Sequence, residues 1–182
     1  MIRLRNAAAG LALLALHACF VSTDPLLPEG EAVFIAEGAV AFCGDPGEDC
    51  YEAVVEGDTY VIYPPPEAEG EEPMRMRFRE LTGSELGTVW LGEVELRDGG
   101  EEDTIWYYGV AHAMPPGGDD LTRFEMVQPD CMEATLRQAG QYGIEPLGSH
   151  TCSIGSMELL AAYLVEAHGE DFNDPDWWRD PD

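Results

Sequence analysis

The sequence predicts an α+β domain, with an antiparallel, curved β-sheet or partly closed barrel of about six to eight strands followed by two C-terminal helices. Three observations carry that expectation. Short runs rich in Val, Thr and aromatic residues recur between residues 31 and 128, separated by clusters of Gly, Pro and Asp. One run, Met74-Arg75-Met76-Arg77-Phe78-Arg79, alternates apolar and charged residues at the two-residue period of a strand. Beyond residue 130 the apolar spacing shifts toward the helical period.

Taken in order, residues 31–43 read as a strand, and 50–56 with 59–63 as a hairpin around Gly57-Asp58. Pro64-Pro65-Pro66 opens an acidic loop over 67–73 that has no apolar period. In the alternating run, Met74, Met76 and Phe78 share one face while Arg75, Arg77 and Arg79 share the other. After a turn at Gly83-Ser84, residues 86–96 place Trp90, Val94 and Leu96 on one face and Glu93 and Glu95 on the opposite one. The three Arg can therefore face these two Glu across a hairpin, each good pair contributing roughly 0.2–1 kcal/mol. The sharper alternative is an anion-binding site lined by the same Arg stripe inside the curved sheet.

Residues 104–114 and 121–128 read as two further strands, joined by the turn-forming Pro115-Pro116-Gly117-Gly118-Asp119-Asp120. A helix is expected over 131–141 after Asp130, with Met132, Leu136 and Ala139 near helical period and Gly140 and Gly143 at its end. Residues 149–154 read as a short strand carrying Cys152. Ser156 then caps a second helix with Leu159, Leu160, Tyr163, Leu164 and Ala167 on one face. An acidic tail over 170–182 holds Trp177 and Trp178, which either fold back on the sheet or anchor a partner.

The front of the chain has a different character. Arg3 and Arg5 precede an apolar run over 7–16, ten residues where a bilayer span needs about 20. That run ends in Leu16-His17-Ala18-Cys19, which resembles the lipobox of bacterial lipoproteins. The resemblance covers residues 1–19 only. It implies a signal peptide over 1–18, a membrane attachment through lipid on Cys19, and a short Pro-containing tether over 19–30 ahead of a single domain at 31–169. Because Phe20 rather than Asp follows the Cys, resemblance to lipoproteins of two-membrane bacteria also implies an outer-membrane anchor facing the periplasm.

Four cysteines remain, Cys43, Cys50, Cys131 and Cys152, an even count in an exported chain, where thiols oxidise. The most economical of the three pairings joins neighbours, Cys43 to Cys50 and Cys131 to Cys152. Loop entropy then contributes roughly 2.5 and 3.4 kcal/mol. No pair has the short spacing that structural zinc sites favour.

Charge narrows the functional classes. Arg3 and Arg5 are the only basic residues of the leader, and all 36 acidic residues follow it, so the chain from Cys19 onward has a formal charge of 7 − 36 = −29. Such a surface disfavours nucleic acid, whose phosphates need Lys or Arg, and leaves a cationic protein or calcium as the partners it suits. At 45% hydrophobic residues the chain is nonetheless composed to fold. It has no Lys, which removes Schiff-base and Ser–Lys chemistry and the phosphate-binding P-loop. His112, His150 and His168 fall on separate predicted elements, and no nucleophile elbow or zinc-protease spacing exists. The densest acidic segments, 45–49 and 171–176, lack the calcium-loop pattern.

The expectation is a lipid-anchored, non-catalytic cell-envelope protein, an interaction or accessory module with a strongly acidic surface. The alternatives are a small-ligand or calcium-binding lipoprotein using the curved sheet and, behind it, an unrecognised periplasmic hydrolase. No catalytic residue, metal ligand or cofactor is assigned.

Overall fold

The computed structural model describes residues 19–43, 50–66, 72–97, 104–117, 120–131, 136–148 and 150–179. The signal segment 1–18, the acidic loop residues 67–71, the candidate calcium segment 45–49 and the tail end 180–182 lie outside the described residues, as does the side chain of Cys19. The strands are β1 (Cys19–Ser22), β2 (Val40–Cys43), β3 (Tyr51–Glu56), β4 (Thr59–Ile62), β5 (Met74–Ser84), β6 (Gly87–Arg97), β7 (Thr104–Ala113) and β8 (Thr122–Val127). Helix α1 (Leu136–Tyr142), strands β9 (Glu145–Pro146) and β10 (Thr151–Ser153) and helix α2 (Met157–His168) complete the chain, with a 3-10 turn at Asp171–Asn173.

The fold is α+β, and its sheet closes into a barrel. From β2 to β8 each strand pairs antiparallel with the next, and β2 then pairs with β8. Seven alternating strands leave the first and last running the same way, so this closure is parallel. The wholly antiparallel, partly closed sheet expected from the sequence is therefore corrected to a mixed, closed one. Ten strands take part, because β1, β10 and β9 branch from the first half of β7 outside the barrel.

β7 is the branch point. Its residues Trp106, Tyr107 and Tyr108 pair with β1, and from Val110 onward the same edge pairs with β8. Gly109 stands between the two partners, and a Cβ there would lie 2.7 Å from the Val127 carbonyl oxygen. Only glycine lets the end of β8 come so close.

Two cores result. Phe42, Tyr60, Met76, Phe78, Val94, Ala111 and Phe124 fill the barrel interior, with the Phe42 and Phe78 rings stacked at 5.4 Å. The second core lies outside the barrel wall. There Val89, Leu91, Tyr108 and Val110 of β6 and β7 meet Phe20 of β1 and Leu160, Tyr163 and Leu164 of α2. Strands β6 and β7 are thus buried on both faces.

Three local expectations change. Residues 19–30 are not a free tether. β1 is held between β7 and β10, Phe20 is buried, and the Ile154 amide donates to the Val21 carbonyl. Of 31–43 only β2 is strand; the preceding residues cross the barrel as a loop, held where Val33 N–H meets the Phe78 carbonyl and Ile35 N–H meets the Tyr60 hydroxyl. On α2 the buried residues are Met157, Leu160, Tyr163, Leu164 and His168, while Leu159 of the expected stripe is exposed. The helix is turned so that His168 meets Trp177. Ser156 caps it as expected, accepting from Leu159 N–H at 3.3 Å.

The disulfides join Cys43 to Cys50 and Cys131 to Cys152. The second fastens the start of the helical part to β10, beside β1.

Candidate functional site

The chemistry concentrates on the outer wall of the β5–β6 hairpin. The register sets Arg75 opposite Glu95 and Arg77 opposite Glu93. Glu93 shares its face of β6 with Val89 and Leu91, so the strand's own alternation carries a carboxylate to an apolar side. It is 0% exposed.

A carboxylate so buried needs full compensation. Glu93 Oε2 accepts from Leu26 N–H at 2.6 Å, Leu27 N–H at 2.9 Å and the Tyr108 hydroxyl at 3.1 Å, while Arg77 Nη2 donates to Oε1. Arg77 also donates to the Leu27 carbonyl at 2.9 Å, and its guanidinium lies 5.8 Å from the centre of the Trp106 ring. The Tyr108 and Ser22 hydroxyls are 2.8 Å apart. Burial, above all, pushes the Tyr108 phenol well above its ordinary value, and the Glu93 charge adds to that. The network is a clamp: one acid, one base and two hydroxyls pin residues 22–27 to the barrel wall.

Beside the clamp opens a cleft of about 600 Å³, lined by Pro25, Leu27, Pro28 and Glu29 from the pinned segment, Asp58 and Thr59 from the β3–β4 turn, and Arg75, Arg77, Glu95 and Trp106 from the wall. Arg75 is half-exposed and lies 3.6 Å from Glu56. Arg79 does not join the cleft lining; it reaches Glu158 of α2 at 3.7 Å. The Arg stripe is thus divided among three carboxylates, with two of its members at one opening. With Glu29, Asp58 and Glu95 on the rim and the Arg77 charge met by Glu93, the cleft is acidic in balance.

No family model, no curated protein and no solved structure matches this chain. The geometry alone therefore carries the reading of the site.

Elsewhere, His112 Nε2 lies 2.9 Å from Glu125 and its ring stacks 4.1 Å from Trp178, while His168 Nδ1 lies 3.3 Å from Asp171 and its ring 5.7 Å from Trp177. Both imidazoles are buried and His150 is exposed, so the three histidines do not converge on one site. Trp177 and Trp178 fold back onto the chain's own core, as one of the two readings of the tail has it. In the acidic segment 171–176, Asp171 meets His168, Asp174 accepts from Asp176 N–H and Asp176 pairs with Arg179. Among the described residues no group of three or more His, Cys, Asp or Glu is arranged to hold a metal ion.

Sequence reasoning paired Arg77 with Glu93 but missed Ser22, Tyr108 and the backbone of Leu26 and Leu27. The signal available was Glu93 itself, at the same strand parity as Val89 and Leu91.

Proposed function

We propose that this chain is a lipid-anchored, non-catalytic protein of the cell envelope, attached through Cys19, that works as an interaction module meeting a cationic partner with its acidic surface. The filled barrel interior carries this reading. Phe42, Tyr60, Phe78 and Phe124 occupy the space a lumen would need, so a partner is met from outside, where the −29 surface lies. The buried ionisable group of the barrel wall, Glu93, has its hydrogen-bonding capacity spent on structure. Cleavage before Cys19 also leaves β1 whole, whereas cleavage beyond Ser22 would remove a strand from the sheet.

Crosslinking in intact cells tests it. A cationic protein should be captured by the full-length chain at low salt and lost at high salt, since exposed charges are screened within about 10 Å at 0.1 M ionic strength. Capture insensitive to salt, or no specific capture, contradicts the proposal.

The second reading, a small ligand or calcium, is favoured by one observation, the outer-wall cleft with Trp106 and Arg75 at one side and Glu29, Asp58 and Glu95 at the other. A calcium-dependent rise in melting temperature that Asp58→Asn or Glu95→Gln abolishes would establish it in place of the first.

A further inference from the structure

We infer that the domain is mounted on the membrane without a spacer, and that the turn between β9 and β10 rests in the headgroup layer of the lipid bilayer. This rests on lipidation of Cys19 as proposed above. A flexible linker between lipid and domain would leave orientation free, at roughly 5–6 Å times the square root of its length. Here the chain from Cys19 has no such length. Cys19 is the first residue of β1 and pairs with Thr151, Phe20 is 1% exposed within the second core, and Leu26 and Leu27 end in the Glu93 clamp.

Strand direction then says what accompanies the lipid. β1 and β10 run parallel with Cys19 opposite Thr151, so the chain entering Cys19 lies beside the chain entering Thr151, which is the β9–β10 turn. That turn is closed by Leu147 N–H donating to the Thr151 carbonyl at 2.8 Å. Leu147 is 64% exposed, the largest exposure among the exposed large apolar side chains. The charge pattern agrees. In a chain with 36 acidic residues, residues 146–157 contain none, nor do 19–23, so the two segments that meet at Cys19 bring no acid to the phosphates. Disulfide Cys131–Cys152 stiffens the same corner. A body held this way presents its cleft at a fixed height, which restricts its partner to one reachable close to the membrane.

The test uses the full-length lipidated protein in vesicles of phosphatidylethanolamine and phosphatidylglycerol carrying a lipid spin-labelled near the headgroup. A fluorophore on His150→Cys should lose at least about half its emission, because interfacial groups lie within about 10 Å of the acyl boundary, while the same fluorophore on Asp58→Cys keeps its emission. A Gly-Ser insertion of about 12 residues after Cys19, reaching roughly 20 Å, should abolish quenching at position 150, and Leu147→Asp, at an exposed site, should weaken it. Unquenched emission at position 150 in protein whose mass includes lipid on Cys19 overturns the spacerless mount and leaves the anchor standing. Membrane-derived protein without lipid on Cys19 overturns both.

Discussion

Glu93 shows how one residue holds the barrel wall and the N-terminal segment together. Its carboxylate joins β5, β6 and β7 to Leu26 and Leu27, and removing the charge leaves Arg77 without its partner in the wall. Glu93→Gln is expected to lower stability by about 3–5 kcal/mol, the range for breaking a buried pair, measured by urea unfolding. Tyr108 adds a pH signature. Its phenol is held above the ordinary value near 10, so the unfolded chain gives up this proton first as pH rises. The stability it contributes is full below about pH 10 and declines above it. Melting temperature should fall more steeply above that pH in the wild type than in Tyr108→Phe. At this scale the sequence was half legible. Alternation put Arg77 and Glu93 across from each other, but burial of the pair depends on residues 24–28 passing over them, a contact between segments more than 60 residues apart that no local pattern encodes.

Among the elements, the C-terminal segment is the one whose role the structure decides. The 3-10 turn sets Phe172 into the second core, Trp178 N–H donates to the Phe172 carbonyl at 3.3 Å, and the two tryptophans cover His112 and His168. Truncation after Gly169 removes Phe172 and Trp178 from a packed core, where each large aromatic contributes about 3–5 kcal/mol; a large drop in melting temperature is expected, and an unchanged one would contradict the packing. Helix α2 was legible through Ser156 and the apolar spacing, yet its facing was missed by one notch. The reason is that His168 was counted as polar, while its ring packs against Tyr163 and Trp177. β1 was read as tether because Pro25 and Pro28 follow so closely, although Phe20-Val21 has the composition of a strand. Four residues with no turn partner nearby cannot announce a pairing with β7 and β10.

For the whole molecule, the alternating strands and the two disulfide pairs were readable, and strand order was not. A meander of seven strands follows from the local pattern; its closure through β2 and β8 joins residues about 80 positions apart and depends on a packed interior of aromatic rings. The branch at Gly109 is the feature that lets one strand serve both the barrel and the outer sheet. Gly109→Ala should therefore force β7 and the end of β8 apart, lowering stability and raising amide hydrogen exchange in β1 and β8 more than in β3 and β4. Filled inside and acidic outside, the molecule is suited to display a surface, and Cys19 determines where that surface stands. The most direct measurement is the intact mass and N-terminal peptide of the chain extracted from membranes of the producing cell. The account predicts a chain beginning at Cys19 with diacylglycerol on its thiol; a chain beginning elsewhere, or an unmodified Cys19, would contradict it.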